Sequence, residues 1–257
     1  MTLSCCIWAL SGPEKDVLSQ VAGLGFTSID VQPHMLASEV TRKASRDLGL
    51  SVACMAASFQ MPSGAALDSA DEAARRQAVA HLKQGIDHGA ALGARAVYVV
   101  PGNDGAAAVL DCYSQSLQTA ADHAAAAGLK LCIEHFPGRA LPTAAATLDF
   151  LAGLNHPNLY LLLDIGHLQM SGEAPAATIK AAGDRLGYVH LDDNDGIGDL
   201  HWSLLDGVLT EASLRQTFAA LDEIGYEGPL SLELSPALAD PASALARSRE
   251  VVMGIMA

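Results

Sequence analysis

Glu134, Asp164, His190 and Glu233 each stand at or near the end of a short apolar run, respectively LKLCIEH, LYLLLDI, LGYVHLD and PLSLELS. Burying a carboxylate without a partner costs several kcal/mol even after relaxation. Three acids and an imidazole placed in this way therefore call for a shared cation. Three carboxylate oxygens and one imidazole nitrogen form a hard-to-borderline donor set. That set suits one divalent ion (Mn²⁺, Mg²⁺, Co²⁺ or Zn²⁺) with positions left open for substrate or water. The competing reading gives each acid its own Lys or Arg, which is thin for a chain with only 15 basic residues.

Further residues could serve such a centre. His167 follows Asp164 by three, within reach of a substrate hydroxyl or the ion's outer shell. Asp199 and His201, separated by one leucine, form a candidate second ligand pair, with an ordinary polar loop as the alternative. Gly102, Asn103, His34, Phe136, Arg139 and Trp202 are candidates for the substrate lining, alongside His167 and His201. His81, His88 and His123 read as surface residues of helices, and His156 as part of a turn before a proline. Asp192, Asp193 and Asp195 read as caps of a solvated loop rather than as ligands. Ser11 reads as the cap of the first helix, with Pro13 just inside it.

Positioning the four ligands at one rim takes parallel strands buried on both faces. Near-continuous apolar runs fit that description at Leu3 to Ala9, Phe26 to Gln32, Ser51 to Ala57 and Arg95 to Pro101. Four more run from Leu129 to His135, Leu159 to Ile165, Leu186 to Asp192 and Pro229 to Ser235. Ala-rich helical stretches separate them, notably Asp71 to Leu92 and Gly105 to Ala127, with Gly128 at the position after a helix end. The breaks GLGF, DLGL, ALGA, AAGL and EIGY recur between helix and strand. Eight βα units account for all 257 residues as one α/β domain, a (β/α)₈ barrel. Residues at the carboxyl ends of such strands are where a barrel does its chemistry. A doubly wound sheet is the runner-up, but neither GxGxxG nor GxxxxGK[ST] occurs.

Charge and composition limit the partners. The net charge is −14 with no run of Lys or Arg, which argues against nucleic acid and for a small-molecule substrate. No stretch reaches the ~20 apolar residues of a membrane helix, and no basic segment precedes the first apolar run. The five cysteines are odd in number and lack a CxxC pair, so they read as buried hydrophobes of a cytoplasmic protein. Self-association into a homo-oligomer is left open.

The segments GFTSIDV, LCIEHFPG, LLLDIGHLQMSGE, GYVHLDDNDG, DLHWSLLDG and GYEGPLSLEL together resemble the xylose isomerase-like TIM-barrel superfamily. Within it they are most similar to the sugar isomerase and epimerase branch, which includes tagatose 3-epimerase, hydroxypyruvate isomerase and inosose dehydratase relatives. The resemblance implies one divalent metal on Glu134, Asp164, His190 and Glu233. It also implies that Glu134 and Glu233 are an acid–base pair on opposite faces of the substrate, working through a cis-enediolate. His167 resembles the family histidine that steadies a substrate oxygen. The implied activity is isomerisation or epimerisation of a small sugar or hydroxy-keto compound. A lyase of the inosose or dehydroshikimate dehydratase type is the alternative on the same site. The chain departs from the branch at Asp193, Asn194 and Asp195, where an arginine is usual, and at Leu205-Asp206-Gly207, where a GxG turn is usual. Asp199 and His201 resemble the DxH of apurinic endonucleases. That branch carries extra histidines after the third and fourth strands, and here those ends read Ala57-Ser58-Phe59 and Val100-Pro101-Gly102.

Overall fold

The computed structural model describes residues 1–256. Eight parallel strands close into a barrel in chain order. They are β1 (Thr2–Cys6), β2 (Ser28–Val31), β3 (Ser51–Ala56), β4 (Ala96–Val99), β5 (Lys130–Glu134), β6 (Leu159–Asp164), β7 (Leu186–Leu191) and β8 (Pro229–Leu232). Pairing of β1 with β8 completes the ring. Around it run α1 (Glu14–Gly23), α2 (Glu39–Asp47), α3 (Glu72–Ala91), α4 (Ala107–Ala126) and α5 (Ala144–Leu154). The ring of helices continues with α6 (Ile165–Ser171), α7 (Pro175–Ala182), α8 (Glu211–Glu223) and α9 (Pro241–Met256). The (β/α)₈ barrel expected from the apolar runs is the fold.

Each strand stops short of its apolar run, because the ladder ends where the chain must turn outward. The residues after β1 form a short 3₁₀ turn at Ile7–Ala9 that brings Trp8 to the rim. Helix ends follow the glycine breaks. Gly128, one residue past the cap of α4, takes φ of 77°, a left-handed turn that any Cβ would penalise. Ser11 does not cap α1. The cap is Pro13, with no side-chain bond, because Ser11 lies too far upstream for its hydroxyl to reach the first helical N–H groups.

Two apolar regions result. One lies between sheet and helices and is built from Leu, Ile, Val and Ala. The other fills the barrel's lumen, where Ala53, Cys54, Ala56, Ala96 and Cys132 are small enough to seat Tyr98, Leu162 and Tyr188. All five cysteines are free thiols, four of them buried. Among the described residues no helix is long and apolar enough to cross a membrane.

The surface reading of the helix histidines needs correction. His81 and His88 are half-buried and tie α3 to the rim loops, with Nε2 2.9 Å from the carbonyl of Phe59 and 2.8 Å from that of Met35. His123 is half-buried against Asp87, at 2.7 Å.

Candidate metal centre and active site

Strand register brings the four candidate ligands together. Asp164 pairs directly with His190 across β6 and β7, while Glu134 pairs with Leu162 two residues earlier on β6. Glu233 sits one residue past β8, its N–H still donating to the Leu191 carbonyl at 3.2 Å. Side chains two apart share a face of a strand, so Leu162 and Asp164 form successive layers of the lumen. The three carboxylates converge on one ring nitrogen. His190 Nδ1 lies 2.6 Å from Glu233, 3.5 Å from Glu134 and 3.8 Å from Asp164.

The donor set fits a divalent cation. One ligand atom from each of the four residues can be chosen so that all lie within 4.8 Å of one another. All four residues are buried, and among the described residues no Lys or Arg pairs with any of them. Asp164 Oδ2 and His190 Nδ1 are fully buried with no hydrogen-bond partner, although Glu233 is close enough to touch Nδ1. Three acids packed this closely on one imidazole, with no Lys or Arg beside them, are a donor set that a shared divalent ion would satisfy.

Beneath the quartet lies an acid that the sequence reading did not assign. Asp30, on β2, is fully buried in the lumen. Its Oδ1 accepts bonds from Tyr188 at 2.7 Å and Ser4 at 2.9 Å. Its Oδ2 lies 3.8 Å from His190 Nε2, the ring nitrogen opposite the quartet. The edges of Tyr98 and Tyr188 meet the imidazole perpendicularly, with centroids 5.2 and 5.7 Å away, and hold its plane. An acid facing Nε2 favours the proton there and leaves Nδ1 free as a ligand. The same signal that singled out the quartet, an acid inside an apolar run (FTSIDVQ), marks Asp30 as well.

The upper shell is a chain of imidazoles and carboxylates. Asp164 Oδ1 caps α6 by accepting from the His167 N–H at 2.9 Å. His167 reaches the His135 carbonyl through Nδ1 at 2.8 Å and Asp199 through Nε2 at 3.2 Å. Asp199 is shared with His201, whose Nε2 is 2.9 Å away, and His201 Nδ1 lies 2.9 Å from Asp192. Two further triads, His167–Asp199–His201 and Asp164–Asp192–His201, also have metal-ligand spacing. Asp192 departs from its expected role as a solvated cap. It is fully buried and accepts from the Gly166 N–H at 2.9 Å, because the chain turns inward after β7. Asp193 and Asp195 do act as caps. Asp193 gathers the N–H groups of Asn194, Gly207 and Leu209, and Asp195 those of Ile197 and Gly198.

The site's charges follow from this packing. Burial and the neighbouring Glu233 raise the Glu134 carboxyl, although His190 and His167 oppose them. Burial also works against ionisation of Glu233, but His190 and His201 outweigh it and hold that carboxyl low. Asp164, opposed by burial, is held at about 2 by His167, His201 and His190. His167 is lifted to about 10, since Asp164, Asp199 and Glu134 overcome its desolvation.

A cavity of about 230 Å³ opens over these residues, lined by Trp8, Phe59 and Val100 together with Glu134, His167, Asp199, His201 and Glu233, and by Phe136, whose ring lies 4.4 Å from that of His167. Of the other expected lining residues, Trp202 is instead bridged to Asp193 through backbone bonds. His34 is exposed and bonded to Gln60 at 2.7 Å. Arg139 lines a neighbouring cavity with Gly102, and Asn103 accepts a bond from it.

The sequence profile of the xylose isomerase-like TIM barrel matches residues 18–252. The chain belongs to that family. L-ribulose 3-epimerase of Methylomonas sp. (strain DH-1) is 37% identical over 131 residues, which is 49% of this chain and 43% of that one. The chain thus spans less than half the length of that relative. L-ribulose 3-epimerase of Mesorhizobium japonicum is 29% identical over 244 residues, covering 88% of this chain and 78% of that one. The crystal structure of a D-allulose 3-epimerase from Methylomonas sp. in complex with D-allulose superposes with a TM-score of 0.83 at 22% identity, covering 99% of this chain and 96% of that one. At that identity the likeness supports the shared barrel alone.

Proposed function

We propose that this xylose isomerase-like barrel epimerises a small ketose at the carbon beside its carbonyl, with Glu134 and Glu233 as the acid–base pair. The observation that carries this reading is the approach of two buried carboxylates of one cavity, Glu233 at 2.6 Å and Glu134 at 3.5 Å, to a single imidazole nitrogen. Glu233 is held ionised and is suited to take a proton, while Glu134 is raised and is suited to give one. Two such groups beside one carbon can remove its proton from one side and return it from the other. The family likeness to two L-ribulose 3-epimerases supports the choice of epimerisation at that position.

Glu134, Asp164, His190 and Glu233 would hold a divalent ion, whose chemistry is Lewis-acid polarisation of the substrate's oxygens. The chain's own residues do the rest. Asp164 and His190 are buried in fixed register and hold the floor of the site. His167 stands at the cavity wall with Nδ1 held by the His135 carbonyl, and its Nε2, on the longer 3.2 Å contact to Asp199, is the nitrogen a substrate oxygen would share. Trp8 and Phe59, with Phe136 beside His167, exclude water from the cavity.

Incubation of the metal-loaded protein with C5 and C6 ketoses in D₂O tests the reading. The expected result is one deuteron at C3 together with the C3 epimer. Loss of water from the product, or label at C1 with an aldose formed, would replace epimerisation by dehydration or isomerisation.

A further inference from the structure

A second cavity of about 410 Å³ lies against the first, over the carboxyl ends of β3, β4 and β5. The two share Phe59, Val100 and Phe136. Alone, the 230 Å³ over the acid quartet falls below the ~300–1,000 Å³ of most ligand sites. Together the two cavities fall within that range, so the space available exceeds what a free ketose over the quartet would use.

The second cavity carries both signs of charge, each uncompensated. The Arg139 guanidinium lies 4.7 Å over the Phe136 ring and donates to Asn103 at 3.2 Å. It makes no ion pair with any carboxylate among the described residues. The Asp68 carboxylate also lines this cavity and receives no hydrogen bond from the described residues. Its Oδ2 occupies the space that a Cβ on Gly102 would take, at 1.8 Å from that position. Between these walls Tyr113, 1% exposed and stacked on Phe150 at 5.9 Å, has a hydroxyl with no partner. Buried polar groups in native structures are rarely left unsatisfied without a reason.

The complement of a fixed cation, a fixed anion and a free hydroxyl is a short scaffold carrying an anion and a cation of its own. A phosphate would satisfy Arg139 but face Asp68, and an alkyl chain would leave both charges without partners. We propose that this cavity is a subsite for a zwitterionic amino-acid group attached to the ketose, so that the preferred substrate is a ketosamine. This rests on the epimerase reading of the quartet and extends it to the substrate's far end.

The test compares four compounds with the metal-loaded protein: a free ketose, the same ketose joined to the side-chain amine of an amino acid, its alkylamine adduct, and its phosphate ester. Turnover is read by exchange at C3 and affinity by calorimetry. The amino-acid adduct is expected to exceed the free ketose by at least about tenfold in kcat/KM and in affinity. Arg139→Gln and Asp68→Asn are each expected to cut that preference about tenfold, the scale of one charge-assisted hydrogen bond. Equal handling of all four compounds overturns the subsite and leaves the epimerase intact. Preference for the phosphate ester or the alkylamine overturns the zwitterion. Tight, variant-sensitive binding of the amino-acid adduct without exchange would uphold the subsite and sink the epimerase reading instead.

Discussion

From β5 to β8 the rim carries Glu134, Asp164, His190 and Glu233, all buried and facing one another. From β1 to β4 the same rim presents Trp8, Phe59 and Val100, with no ligand among them. The two halves close one cavity but meet different physical demands. Desolvated carboxylates are tolerated where a common cation can compensate them. Facing them, apolar side chains line the cavity and border the second cavity that holds Asp68 and Arg139. Candidate ligands and apolar lining thus come from different halves of the barrel.

Substitution in the acidic half should strike hardest. Glu233→Gln keeps the shape of the side chain and removes the base, so exchange at C3 should fall by about 10²–10⁴-fold. A smaller loss would mean that the two halves share the chemistry. Next comes the floor beneath. Asp30→Asn should weaken divalent-metal affinity about 10–100-fold, read by competition with a chelator, and should shift the His190 imidazole nitrogens in NMR. Unchanged affinity would make Asp30 a packing residue only. On the apolar half, Phe59→Ala should raise KM roughly fivefold with little change in kcat, the loss of about 1 kcal/mol of contact. A collapse of kcat there would erase the division.

The smallest effect concerns pH. His167 is lifted to about 10 from an ordinary value near 6.5, by Asp164, Asp199 and Glu134 against its burial. A raised folded value means stability fully present below pH ~6.5 and lost as pH climbs through 10. The metal-free protein should therefore melt at falling temperatures between pH 7 and 10. His167→Asn should make that slope shallower, and an unchanged slope would remove His167 from the network.

Most of the barrel was legible because each strand is an apolar run and most return turns carry a glycine, Asn155 taking that place between α5 and β6. The quartet was legible for the opposite reason, since an acid inside such a run has no ordinary explanation. Asp30 carries the same mark, yet its role is visible only once closure of the sheet sets β2 across from β7. Asp192 was hidden by its company. DDND reads as a polar loop, and only the inward turn after β7 separates the buried Asp192 and Asp193 from the exposed Asp195. His81 and His88 looked like surface residues because helical periodicity does not reveal which loop will fold back onto a helix.

Asp193 has a consequence of another kind. By holding the N–H groups of Gly207 and Leu209, 14 and 16 residues away, it closes a ring of backbone without a covalent link. That closure is shared with the backbone bridge between Asp193 and Trp202 and with the Val208 N–H on the Asn194 carbonyl. The segment between is clipped at its base and tied to the barrel again through Asp199 on His167 and His201 on Asp192. A loop held at both places carries Asp199 and His201 to the cavity as a preformed pair, with little of their ordering left to be done when a ligand arrives.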